Sequence, residues 1–163
     1  MVATSFSRAN AVGIAVIVAL LALQAYLAMA QVALTRIQRS RASALAADSD
    51  GRRSAHVLIR LVEAPGYFLN ALLLMILIIQ MIETALAAVI GLRLFGTAGL
   101  AVALAANVCI AFVVTEAAPK TWAVQHLDRA ALMAARPVHA LVAFPPLRWL
   151  ARGLIGAANG ILP

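Results

Sequence analysis

The chain has 163 residues and 64% of them are apolar, where soluble domains use about half, so an ordinary soluble fold is excluded and a membrane protein is indicated. Net charge is +7, but the basic residues flank apolar runs instead of covering one face with stacking aromatics between them. That excludes nucleic acid as a partner and fits the excess of Arg and Lys in cytosolic loops.

The first apolar run lies between Arg8 and Arg36, with no charged residue inside it. A bilayer takes roughly 20 helical residues to cross, so a span over about 10–34 is expected. A signal peptide with cleavage after "AMA" (28–30) is the rival reading, although the apolar stretch continues through Val32–Leu34.

Residues 36–63 hold six Arg, three acids and the turn signal "DSDG". They read as a cytosolic loop with helical pieces on either side of the turn. Pro65–Gly66 punctuates the entry to a second run, 67–92, whose polar members are Asn70, Gln80 and Glu83. A short link, 93–97, carries one Arg. A third run, 98–118, carries Asn107, Thr115 and Glu116. Two spans joined by so short a link form an antiparallel pair.

Beyond Lys120 the pattern breaks. "PVHALVAFPPL" (137–147) and "GLIGAANGILP" (153–163) are too short to span, and Pro137 with Pro145–Pro146 forbids one straight helix. Arg148, Trp149 and Arg152 suit a membrane–water boundary. A kinked juxtamembrane or re-entrant belt over about 130–163 is expected. Arg asymmetry puts the 36–63 loop in the cytosol, hence the N-terminus outside and the C-terminus in the cytosol. The fold class is all-α: three transmembrane helices plus the kinked helix on the cytosolic side, in one domain over 1–163.

Charged side chains within a bilayer cost roughly 2.5–3.5 kcal/mol at a helix centre on insertion scales, and they mark bundle interiors or ion pathways. Glu83 and Glu116 are the candidates. Ile76, Gln80 and Glu83 share a helix face by spacing, as do Gln24, Ala28 and Gln31, and Asn107, Ala111 and Thr115. Such stripes either glue helices to one another or line a route for an ion. Pro119 withdraws a hydrogen bond from the carbonyl of Thr115, which either kinks the helix or presents an oxygen beside Glu116 to a hard cation. Cys109 is the one cysteine; it excludes a thiolate cluster and an intrachain disulfide, and reads as a small packing residue. No H-E-x-x-H occurs, and His56, His126 and His139 are scattered, so an enzyme is not expected.

The third run ends in Thr115-Glu116-Ala117-Ala118-Pro119-Lys120. This resembles the Gly-Glu-x-x-Pro-Lys that closes the third span of the CorC/CNNM magnesium transporter family. "AMAQVAL" (28–34) stands where that family has serines before Glu-x-Ala-Leu. "HVLIRLVEAPGYFLNALL" (56–73) and "PVHALVAFPPLRWLARGLIGAANGIL" (137–162) are similar to its lead-in to the second span and its broken cytosolic-side helix. The resemblance implies a dimer in the lipid bilayer, with itself or with a related chain, that transports Mg²⁺, with export and sodium (Na⁺) coupling expected. Regulatory CBS domains that bind ATP normally follow in the family and are absent from these residues. It also implies a site built on Glu116, the Thr115 carbonyl, Gln80 and Gln31, with Glu83 as an added charge on the route and Pro119 and Lys120 as structural members of the motif. Departures are marked: Ala28 and Ala30 replace serines, Gln31 replaces a glutamate, and Ile76 and Gln80 stand at the asparagine positions. A structural or regulatory subunit that dimerises without transporting is the alternative.

Overall fold

The computed structural model describes residues 8–48, 53–63 and 65–143. All elements among them are helical: α1 Arg8–Arg36, α2 Arg39–Asp48, α3 Arg53–Glu63, α4 Pro65–Ala111, a π-helical turn Phe112–Ala117, α5 Ala118–Gln125 and α6 Leu127–Ala143. Two stretches are long and apolar enough to cross a membrane, Asn10–Arg36 and Phe68–Gln125.

The second stretch is 58 residues long, about 87 Å if straight and far more than a bilayer needs. It reverses at Gly96, whose φ of 68° and ψ of −152° lie where a side chain is not tolerated. Behind the reversal, the limbs before and after Gly96 touch backbone to backbone. A Cβ on Gly91 would come within 2.7 Å of the Gly99 carbonyl oxygen and 2.5 Å of the Ala103 Cβ, and one on Gly99 would collide with the Gly91 carbonyl and the Phe95 Cβ. Small residues let membrane helices approach this closely. Here they close a helical hairpin, with the expected 93–97 link at its tip.

The helix after the hairpin does not stop at Pro119, as the expected span end near 118 implies; it runs on to Gln125. The π turn is the physical reason. It widens the backbone ladder so that the Ala118 N–H bonds the Val113 carbonyl, five residues back. The carbonyl that a proline ring would strike in a regular helix is thereby displaced.

The described residues divide into two compact units, one within Met1–Ala28 and Ile76–Pro119, the other within Met29–Met75 and Lys120–Pro163. In the second unit α3 packs on both α2 and α6. Its core is Ala55 and Leu58 of α3, Ala42 of α2, and Ala130, Ala131, Ala134, Ala135, Val138 and Val142 of α6. Arg39 pairs with Glu63 at 2.6 Å, and Arg41 grips Asp128 through two nitrogens at 2.6 and 3.2 Å. The helices expected on either side of the DSDG turn are α2 and α3; the turn itself, after Asp48, lies outside the described residues. α6 passes through Pro137 unbroken, with Pro137 on its exposed face. Pro145, Pro146, Arg148, Trp149 and Arg152 also lie outside the described residues.

In the first unit, Gly13 of α1 lies against Ile90. Ile14 and Ile17 share a groove of about 620 Å³ with Ala87, Ile90, Val102, Ala106 and Asn107. Much of the hairpin's apolar surface is exposed, including Met81, Val102, Val108, Phe112 and Val113, which suits a helix pair surrounded by lipid. Cys109 is exposed as well, so it faces out of the bundle instead of packing inside it.

Candidate functional site

Four polar side chains are buried among the described residues: Gln24, Glu83, Asn107 and Thr115. All four belong to the first unit. Their burial follows from helix period. On the limb before Gly96, Leu72, Ile76, Ile79 and Glu83 recur at intervals of four and three and face inward. On the limb after it, Asn107, Ala111 and Thr115 recur at intervals of four and are buried, while residues between them are exposed.

Glu83 is fully buried. The side-chain amide of Asn107 donates to its Oε2 at 3.1 Å and also reaches the Thr84 hydroxyl at 3.3 Å. The other carboxylate oxygen, Oε1, is buried with no hydrogen-bond partner, and so is Oε1 of Gln24. A buried carboxylate in low dielectric demands an opposite charge or a proton, and a single neutral amide supplies neither.

Thr115 is buried, and its hydroxyl donates to the Ala111 carbonyl at 2.8 Å. This commits the hydroxyl hydrogen to its own helix, while the hydroxyl oxygen keeps its lone pairs as an acceptor alongside the backbone carbonyl. Pro119 contributes no N–H to the carbonyls preceding it. Glu116 sits on the π turn, half-buried. π turns occur disproportionately at functional positions, and this one holds a carboxylate, a buried threonine and the stretch just before a proline.

A family profile, the cyclin M transmembrane N-terminal domain, matches residues 15–162. The chain belongs to the CNNM family. A "UPF0053 protein" from Haemophilus influenzae is 29% identical over 136 residues, covering 83% of this chain and 32% of that protein. The chain thus spans about a third of the length of the curated relative it matches. CNNM is a family of membrane proteins linked to metal transport and is not an enzyme family.

The residues named for this CNNM domain from its sequence are divided between the two units. Glu83, Thr115, Glu116, Gln80 and Pro119 fall in the first unit; Gln31 and Lys120 fall in the second. Gln80 is exposed, one position beyond buried Ile79. Gln31 is half-buried, and its backbone carbonyl accepts the Thr35 hydroxyl at 2.8 Å. Ala28 and Ala30 are fully buried, so α1 brings methyl groups and not hydroxyls to those positions.

Among the described residues, no three His, Cys, Asp or Glu side chains come together. Around Glu83 and Glu116 the described donors are amide, hydroxyl and backbone oxygens, the class that hard cations take. Helix-face spacing alone does not pair Glu83 with Asn107. One signal for it exists: Glu83 is 12 residues before Phe95 and Asn107 is 12 after it, so a hairpin centred on the short link sets them level.

Proposed function

We propose that this CNNM domain carries a divalent cation, magnesium, across the membrane, outward and coupled to sodium, with Glu116 as its principal carboxylate ligand and the Thr115 carbonyl beside it. The observation that carries this is the π turn at Phe112–Ala117. It holds a carboxylate within a helix that would otherwise continue as apolar α-helix, at the motif that the family match covers. A strongly hydrated ion such as Mg²⁺ is bound through one or two carboxylates while keeping several waters. A half-buried glutamate beside a backbone carbonyl suits that demand better than a dry cage.

Three crossings support the transport reading: α1, the limb up to Gly96 and the limb after it. The Arg-rich 36–63 segment lies on the cytosolic side and the hairpin tip outside. The exposed apolar hairpin surface suits a homodimer or a heterodimer with a related chain. The test is Mg²⁺ efflux from cells loaded with the ion and expressing the full-length protein. Glu116→Ala is expected to lower the rate at least tenfold at equal surface expression. Undiminished efflux would remove Glu116 from the route.

A second reading, a membrane subunit that dimerises without transporting, is favoured by one observation, the buried Ala28 and Ala30 that take oxygen donors away from α1. It predicts that the wild-type chain itself shows no efflux above background.

A further inference from the structure

We infer that Glu83, together with Gln24, forms a binding site for a single dehydrated monovalent cation, separate from the motif glutamate. The inference deepens the sodium coupling proposed above and rests on that reading for the choice of ion.

Three observations carry it. Both Glu83 Oε1 and Gln24 Oε1 are buried acceptors without a partner, and an unsatisfied buried polar atom costs about 1–3 kcal/mol, more when charged. One positive species between them satisfies both. The helix register puts them at neighbouring depth. Gly13 meets Ile90, and burial increases along α1 towards Gln24, Leu27 and Ala28 but back along the facing limb towards Ile79 and Ile76. The two helices therefore run antiparallel. Eleven residues on from Gly13 is Gln24; eleven back from Ile90 is Ile79, four residues from Glu83, which is about 6 Å of helix rise.

The third observation fixes the charge. Asn107 satisfies Glu83 Oε2 with its amide N–H₂ and leaves Oε1 as the open acceptor of the carboxylate. One carboxylate among neutral amides balances a charge of +1. A divalent ion would leave a positive charge uncompensated where the dielectric is low. It would also lack the second carboxylate and the retained waters that Mg²⁺ generally keeps. The other titratable groups on α1 and the two limbs of the hairpin are Arg8, Tyr26, Arg36, Arg93, Cys109 and Glu116; Arg8, Arg36, Arg93 and Cys109 are exposed and Tyr26 and Glu116 half-buried. None is a buried cation that could serve Glu83 instead.

The experiment is thermal unfolding of the full-length protein in lipid nanodiscs, free of divalent ions, with sodium chloride replacing choline chloride at constant ionic strength. Sodium is expected to raise the midpoint saturably, by about 3–6 °C at ten times its dissociation constant. Glu83→Gln and, independently, Gln24→Leu are expected to abolish the shift, with Glu83→Gln folding at least as well as wild type in choline. Glu116→Ala is expected to keep it. A magnesium arm separates the two sites: Glu116→Ala should lose any Mg²⁺ protection and Glu83→Gln should retain it. Loss of the magnesium result alone would sink the transport proposal and leave this one standing. The inference is overturned if sodium does no more than choline, if acidification alone reproduces the shift, or if Glu83→Gln still responds to sodium.

Discussion

The Asn107 amide donates to the Glu83 carboxylate across 3.1 Å, although the two residues are 24 apart in a helix that is continuous but for Gly96. In a straight helix they would be separated by about 36 Å. Together with the Asn107–Thr84 contact, this bond ties the two limbs of the hairpin and fixes a carboxyl group inside the apolar unit.

Removing the amide while keeping the charge should harm the fold more than removing both. Asn107→Leu is expected to destabilise by about 1.5–3 kcal/mol, the range for hydrogen bonds to charged groups. Glu83→Gln with Asn107→Leu is expected to cost less than the single Asn107 change. Unfolding midpoints of the two singles and the double, closed as a cycle, check this. Additive losses would show that the bond carries no coupling.

The hairpin should discriminate sharply among its glycines. Gly96→Ala forces a side chain into backbone space that is essentially reserved for glycine, and should cost about 1–3 kcal/mol. Gly99→Ala should cost at least as much, since its Cβ meets the Gly91 carbonyl. Gly66→Ala, with nothing within 4 Å of the added methyl, should be neutral or slightly stabilising through helix propensity. Detergent-resistance or melting measurements on the three single variants test the order.

The Arg41–Asp128 pair predicts a defined acid response. Hydrogen bonds from the Arg41 guanidinium hold the Asp128 carboxyl below its ordinary value. The native state then releases a proton that the unfolded chain retains up to about pH 4. The pair's contribution is complete above that value and is lost as pH falls through the lowered native pKa. Wild type should exceed Arg41→Gln in melting midpoint near neutral pH, and the gap should close on acidification. Both residues are partly exposed and the gap should be small. Curves that stay parallel down to strong acid would contradict it.

Thr115→Val keeps the backbone oxygen and deletes the hydroxyl that bonds Ala111. Efflux is expected to stay within about twofold of wild type, with a stability change under about 1 kcal/mol. A tenfold loss of transport at normal expression would mean that the hydroxyl, and not the carbonyl, meets the ion.

Much of the architecture could be read in advance because lipid imposes length and charge rules that act locally. The charge-free stretch before Arg36, the turn signal between α2 and α3, and the short 93–97 link each stand out in the chain itself. The inward stripe of Asn107, Ala111 and Thr115 could also be read, since all its polar members lie on it. The limb carrying Gln80 was harder. Helix period fixes which residues share a face but not where the centre of the buried face falls. Ile76, Gln80 and Glu83 could share a stripe by spacing, yet the buried centre lies over Ile79 and Gln80 turns out. The passage of the helix beyond Pro119 was not legible either, because a π turn is a compromise between packing and a missing N–H, and neither is written in residue spacing. Hydrophobicity alone assigns Cys109 to packing, and in a membrane it does not distinguish inside from outside.

The placement of Glu83 also bears on how the chain is made. During synthesis the limb with the carboxylate emerges two dozen residues ahead of Asn107, so for a time the acid has no amide to meet it. Entering lipid alone, that limb would carry its charge bare. The economical order is for the Gly91–Gly99 clasp to form while still wet and for both limbs to slip sideways into the bilayer as one body. Paired entry of the two limbs would spare the carboxylate that exposure.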